Sequence, residues 1–247
     1  MKEKVKAFYS QLGAGMLQEK AGGCCGPSCG CDPGVDAPLG SSLGCGDPLQ
    51  GIQLQRGERV LDLGCGGGFD VLRAAQQVGE EGFVYGLDMS PEMIQVSERN
   101  CSQAGITNVC FLQGELEEIP LADESIDVVI SNCVLNLTED KAKALKEAYR
   151  VLRRGGRLAI ADVVAMGQVP REIRENSHLW SRCLAGALSV AEYEAVLSQV
   201  GLTGCRIEIL RLYDQTRLEQ ILGPAQGDLV ARLAGFWASA QISAHKA

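Results

Sequence analysis

The chain has 247 residues, of which 46% are hydrophobic and 22% charged, with a formal charge of −8. This is a globular composition, and its acidic balance lacks the basic footprint that a nucleic-acid surface needs. No apolar run reaches the ~18 residues of a membrane span, and residues 1–15 hold no apolar signal core, so neither insertion nor secretion is expected and the expected location is cytoplasmic.

Residues 2–19 read as a helix that ends before Gly22-Gly23. Residues 22–46 carry Cys24, Cys25, Cys29, Cys31 and Cys45 among Gly and Pro, with neither helical nor strand periodicity, and read as an irregular loop. Residues 60–63 form a short apolar run that stops at Gly64, followed by a helix over 69–78 and a second strand over 83–87. Ser90-Pro91-Glu92 is a helix start, with Ser as N-cap, Pro at the first helical position and an acid in the first turn. That helix runs to about residue 104. Strands follow at 109–112, 126–131 and 157–164, with an amphipathic helix over 139–152 that ends before Gly155-Gly156. Residues 171–179, 190–200 and 216–221 read as helices, and 206–210 and the tail near Trp237 as further strands. Apolar strands alternating with helices predict an α/β fold with a doubly wound parallel sheet covered on both faces.

Asp62-Leu63-Gly64-Cys65-Gly66-Gly67-Gly68 joins the first strand to the first helix of this unit. Glycines at alternate positions let the backbone turn tightly and let a ligand approach without a Cβ in the way. The dinucleotide fingerprint would need Gly at position 69, which is Phe here. Asp88 closes the second strand, where a carboxylate accepts both hydroxyls of a ribose. Turn and acid together predict a nucleoside ligand. The Asp-x-Gly-x-Gly-x-Gly spacing resembles the first motif of class I S-adenosylmethionine methyltransferases. That resemblance implies S-adenosylmethionine as cofactor, with Asp62 toward the methionine amino group. It also implies Met89 beside Asp88, Glu115 and Leu116 near adenine, and Asn132 after the fourth strand. Glu115 reads equally well as a solvated loop acid.

Eleven cysteines without a secretory signal point to metal, metalloid or redox chemistry. Cys133 follows the fourth strand, at the end of the sheet where such folds bind ligands. Cys183 lies in Cys-Leu-Ala-Gly-Ala-Leu, and Cys45 is flanked by Gly44 and Gly46. A lone cysteine is otherwise a small buried hydrophobe. These segments, with Ser131-Asn132-Cys133-Val134-Leu135-Asn136-Leu137, make the chain similar to the arsenite methyltransferase family over most of its length. The resemblance implies that Cys45, Cys133 and Cys183 bind trivalent arsenic, the substrate. It implies that Cys24 or Cys25 is an upstream redox cysteine, and that a thiol reductant such as thioredoxin or glutathione is a partner. Small-molecule arsenicals are then the substrates, with no nucleic-acid or membrane partner. The expected division is a helix and cysteine-rich loop over 1–46, a cofactor-binding methyltransferase domain over 47–165 and a smaller arsenic-binding part over 166–247. Two alternatives remain. A carbon methyltransferase would explain the glycine turn and Asp88 but not the three cysteine contexts. A non-enzymatic thiol-rich metal-binding protein would use Cys24, Cys25, Cys29 and Cys31, whose spacing lacks a zinc knuckle.

Overall fold

The computed structural model describes residues 1–18, 44–222 and 227–247. Its centre is a seven-stranded sheet in the order β3-β2-β1-β4-β5-β7-β6. The strands are β1 (Arg59–Leu63), β2 (Phe83–Asp88), β3 (Val109–Gln113), β4 (Ile126–Asn132), β5 (Leu152–Ala165), β6 (Leu202–Leu212) and β7 (Trp237–Lys246). The first five run parallel, and β7 lies antiparallel between β5 and β6.

Pleating explains why the central strands are apolar on both sides. Val60, Val128 and Ile130 pack toward α2 (Phe69–Val78) and α3 (Pro91–Gln103), burying Val71, Ala74, Ala75, Val78 and Cys101. Leu61, Leu63 and Val129 pack the other way, toward α4 (Lys141–Val151) and α7 (Val190–Gln199) with Leu145, Ala148 and Leu197. Burying each of the Val, Leu and Ile side chains contributes about 1.5–3 kcal/mol, so both faces must be covered. The Ser90 hydroxyl caps α3 by accepting from the Met93 N–H at 3.2 Å, with Pro91 first in the helix, as its sequence predicts.

The expected single helix over 171–179 is two short turns, α5 (Arg171–Arg174) and α6 (Ser177–Trp180). Asn176 causes the break: its side chain accepts from the Leu179 N–H at 3.2 Å and starts a new turn. β5 begins at Leu152, ahead of the expected residue 157. Its pairing with β4 slips between Leu152 and Arg157, where Gly155 has φ 74°, so the two glycines make a bulge inside the strand.

The chain beyond β5 contributes both to the sheet and to a cap. α8 (Gln215–Leu222) and α9 (Gly227–Leu233) bring Leu218, Leu222 and Val230 against Trp237, Leu184 and Val163. The same cluster contains Cys133 and Cys183. At the other end of the chain, α1 (Lys2–Gln18) lies along α3, with Ser10 hydrogen-bonded to Ser90 at 3.3 Å. No helix among the described residues is long and apolar enough to cross a membrane.

Candidate functional site

The glycine turn and its acids gather at the carboxyl ends of β1 and β2. Gly64, Gly66 and Gly68 have φ of 67°, 50° and 80°. Their roles divide by what surrounds them. A Cβ on Gly64 would lie 2.3 Å from Val134, and one on Gly68 2.7 Å from Ser97, so these two permit close packing. A Cβ on Gly66 would meet nothing within 4 Å; this glycine faces open space. Its N–H donates to Asp88 Oδ2 at 3.0 Å, while Asp88 Oδ1 accepts from the Ser90 N–H at 2.9 Å. Asp88 thus ties the turn to the start of α3.

Asp62 is 2% exposed, and its carboxylate has no hydrogen-bond partner among the described residues. Burial, then the charges of Asp70 and Asp88, push it well above the usual carboxylate range. Burial raises Asp70 and Asp88 as well. Two buried acids, Asp62 and Asp70, and the partly buried Asp88 surround an open backbone turn and form a site that a cationic ligand would relieve. S-adenosylmethionine carries a sulfonium and an ammonium, and this donor set fits it. Asp70, on the first turn of α2, was not among the expected site residues; its position two after Gly68 was the available signal.

Met89 is partly buried and packs toward the cysteine cluster. Glu115 is exposed and ion-paired with Lys2 of α1, so its charge is answered by the protein itself. Leu116 places its side chain in the core with Leu87 and Ile119, which leaves only its backbone for a ligand. Asn132 is a junction. Its Oδ1 accepts from the Cys45 N–H at 3.1 Å, and its Nδ2 donates to Gly46 O at 2.9 Å and Asp70 Oδ2 at 3.0 Å.

The three singled-out cysteines come from the 44–46 segment, the end of β4 and the loop after α6, and they meet. Cys45 and Cys133 are joined in a disulfide, with Cα atoms 5.9 Å apart, so their sulfurs are bonded to each other in this structure. The Cys183 thiol donates to Cys133 O at 2.9 Å. Cys133 and Cys183 have φ of 60° and 62°, a left-handed conformation that non-glycine residues rarely adopt and that clusters at functional sites. Cys24, Cys25, Cys29 and Cys31 lie outside the described residues. Cys65 and Cys101 are buried, consistent with packing roles.

A buried polar network, which the sequence reading missed, backs the cysteines. The sulfurs of Cys45 and Cys133 and a carboxylate oxygen of Asp162 lie within 4.8 Å of one another. Asp162 is fully buried on β5 and accepts from Tyr193 Oη, Asn136 Nδ2 and the Val163 N–H, each at 2.8 Å. Burial pushes its pKa up to about 7. Nearby Lys141 is pulled down to about 8, again by burial.

A family model described as a methyltransferase domain matches residues 54–221. The arsenite methyltransferase of Halobacterium salinarum is 45% identical over 67% of this chain and 42% of its own length. That of Aquipseudomonas alcaligenes is 36% identical over 84% of this chain and 63% of its own length. The chain therefore spans less than two thirds of these curated relatives. The crystal structure of an arsenic(III) S-adenosylmethionine methyltransferase from Chlamydomonas reinhardtii superposes with a TM-score of 0.65 at 35% identity, covering 81% of this chain and 66% of that one. The sheet order, the glycine turn with its acids and a family match across more than half of its residues agree: the chain belongs to the methyltransferase-domain family.

Proposed function

We propose that this chain binds S-adenosylmethionine at the Gly64–Gly68 turn and methylates trivalent arsenic held by Cys45, Cys133 and Cys183. The observation that carries this reading is the convergence of three cysteines from distant segments, two of them in left-handed backbone, beside the cationic-ligand site. Arsenite methyltransferases among its relatives and its structural neighbour support the same chemistry. A carbon methyltransferase would not require this convergence.

Asp62 and Asp88 would hold the ammonium and the ribose hydroxyls, and Gly66 the open backbone approach. S-adenosylmethionine supplies, when bound, an electrophilic methyl group. The chain's own work is to present the nucleophile. Arsenite is thiophilic and thiolates are soft ligands, so three sulfurs exchange for three hydroxides, with each thiol proton leaving in water. The arsenic lone pair remains free to attack, and rate comes from positioning more than from acid–base catalysis. The Cys45–Cys133 disulfide must first be opened by two electrons from an external dithiol or two monothiols, such as thioredoxin or glutathione. A reducing compartment such as the cytoplasm fits that need.

The test is arsenic speciation after incubating reduced protein with arsenite and S-adenosylmethionine. We expect methylated arsenicals from the wild type and none from Cys133→Ser or Cys183→Ser. Asp88→Ala should weaken cofactor binding by about 1.5–3 kcal/mol in calorimetry, the scale of lost hydrogen bonds to a charged group. Absence of methylated arsenic with cofactor demonstrably bound would overturn the substrate assignment.

A further inference from the structure

Cys45 sits between two glycines, so its own backbone does little to fix its sulfur. Its position comes from side chains on other elements. Asn132 grips the segment twice, through the Cys45 N–H and Gly46 O, and passes the hold to Asp70 at 3.0 Å. Immediately after Gly46, Asp47 is clasped by the Arg73 guanidinium of α2. NH1 donates to Oδ1 at 2.8 Å and NH2 to Oδ2 at 2.7 Å. NH1 also reaches Asp70 Oδ1 at 3.5 Å. The segment lies close against the sheet: a Cβ on Gly44 would lie 2.0 Å from Asn132, and one on Gly46 3.0 Å from the Ala161 Cβ.

We propose that the Asp47–Arg73 fork is a positioning clamp that holds Cys45 in register with Cys133 and so decides whether inorganic arsenite or only a monomethylated arsenical is used. This rests on the proposed arsenic-methylating function. Inorganic arsenite has three exchangeable positions and needs all three sulfurs to be held rigidly. A monomethylated trivalent arsenical has one position taken by carbon, and Cys133 and Cys183 suffice for it. Cys133 directly follows Asn132, the last residue of β4, and Cys183 donates to its carbonyl, so both are placed by the strand end and not by the clamp. Cys45 depends on the clamp.

The chemistry of the pair suits this role. Two parallel N–H···O bonds between planar groups fix direction as well as distance, which a lysine ammonium cannot reproduce. The side chains of Arg73 and Asp47 are 31% and 21% exposed, so the bidentate pair is partly shielded from solvent and keeps its geometry. What breaking the pair removes is orientation. Because Arg73 stands on the helix that opens from the glycine turn, the clamp fastens the third thiol to the element that carries the cofactor site.

The experiment uses the full chain as wild type, Arg73→Met, Arg73→Lys and Asp47→Asn, with two readouts. The first needs no arsenic. The protein is equilibrated with reduced and oxidised glutathione, and the Cys45–Cys133 disulfide is quantified by mass spectrometry. Two glutathione thiols reduce the protein disulfide to two thiols and become one glutathione disulfide. Freeing the Cys45 segment lowers its effective concentration at Cys133, so disulfide formation should fall about tenfold in Arg73→Met and Asp47→Asn, and less in Arg73→Lys. The second readout is the initial methylation rate on arsenite and on the monomethylated substrate, with thiol in excess. The arsenite-to-monomethyl rate ratio should fall about tenfold in the same variants, with cofactor affinity by calorimetry within about threefold of wild type. A glutathione equilibrium unchanged in all variants overturns the clamp. Equal loss on both arsenicals overturns its role in substrate choice. If the wild type methylates neither arsenical, the functional reading fails, while the glutathione equilibrium still decides whether the clamp positions Cys45.

Discussion

At the scale of single residues, Asp162 makes the most distinctive prediction. It is fully buried, with three donors on its two oxygens, yet burial still pushes its pKa up to about 7. An unfolded aspartate titrates near 3.9. Between these values the folded state keeps a proton that the unfolded state has lost. Its contribution to stability is therefore fully present below about pH 4 and is lost as pH rises through about 7. Asp162→Asn keeps the shape and the partner to Tyr193 but removes this titration. Urea midpoints at pH 5 and pH 8 should differ by less in Asp162→Asn than in wild type. An equal drop in both proteins would assign the titration to another group. The sequence did not mark Asp162, because an acid inside a run of apolar strand residues looks like any alternation break. Nor did it mark Arg73 and Asp47, whose pairing crosses from a loop to a helix and leaves no local pattern. The glycines and Asp88 were legible because turn geometry and strand ends impose residue types directly.

Elements were readable where local rules and tertiary demand agree. β1, β2 and β4 are nearly continuous apolar runs, as a sheet covered on both faces requires; β1 stops at Gly64, β2 at Asp88 and β4 at Ser131-Asn132. β6 carries a weaker sequence signal and extends over Leu202–Leu212, beyond the expected 206–210. It is an edge strand whose exposed residues include Ile209, Leu210 and Leu212, so no clean alternation separates core from solvent. The helix over 171–179 failed for a local reason, the Asn176 cap, which competes with continuation of the helix. α1 was legible as a helix, but its docking was not. It approaches α3 at Gly13, where a Cβ would lie 2.9 Å from the Glu92 Cβ and 3.2 Å from the Met93 N. It is further held by the Arg99 guanidinium, which donates to Met16 O at 3.0 Å, and by Val5, which is buried. Gly13→Val should force the two helices apart at a cost of about 1–3 kcal/mol. Hydrogen exchange should then show lost protection over residues 2–18 with the central strands unchanged. Wild-type protection in α1 would mean that the close approach does not hold this helix.

For the whole molecule, the sheet brings together what the sequence keeps apart. A strand order that reverses beside β1 opens a crevice at the carboxyl ends, and the acids sit on its β1 and β2 side. The cysteines reach it by a different route. Their sequence separations carry no information about proximity, and family resemblance, not spacing, singled out Cys45, Cys133 and Cys183. Their convergence also separates two halves of the proposed site. The cofactor half uses Asp62, Gly66 and Asp88, none of which hydrogen-bonds to a cysteine among the described residues. The arsenic half has two of its three sulfurs joined in the Cys45–Cys133 disulfide. Oxidation should therefore silence one half and spare the other. With the disulfide intact, Cys183 alone of these three remains to meet arsenite, and a single thiol cannot replace the three hydroxides. We expect oxidised protein to bind S-adenosylmethionine with the affinity of reduced protein but to show no arsenite binding by calorimetry. Reduction should restore one arsenic per chain with sulfur-only coordination in X-ray absorption. Cys45→Ser cannot form this disulfide, so its residual binding of a monomethylated arsenical should no longer depend on reducing the Cys45–Cys133 pair. Loss of cofactor affinity on oxidation would show that the halves are coupled through Asn132 and Asp70. Equal arsenite binding with and without reductant would remove Cys45 and Cys133 from the ligand set altogether.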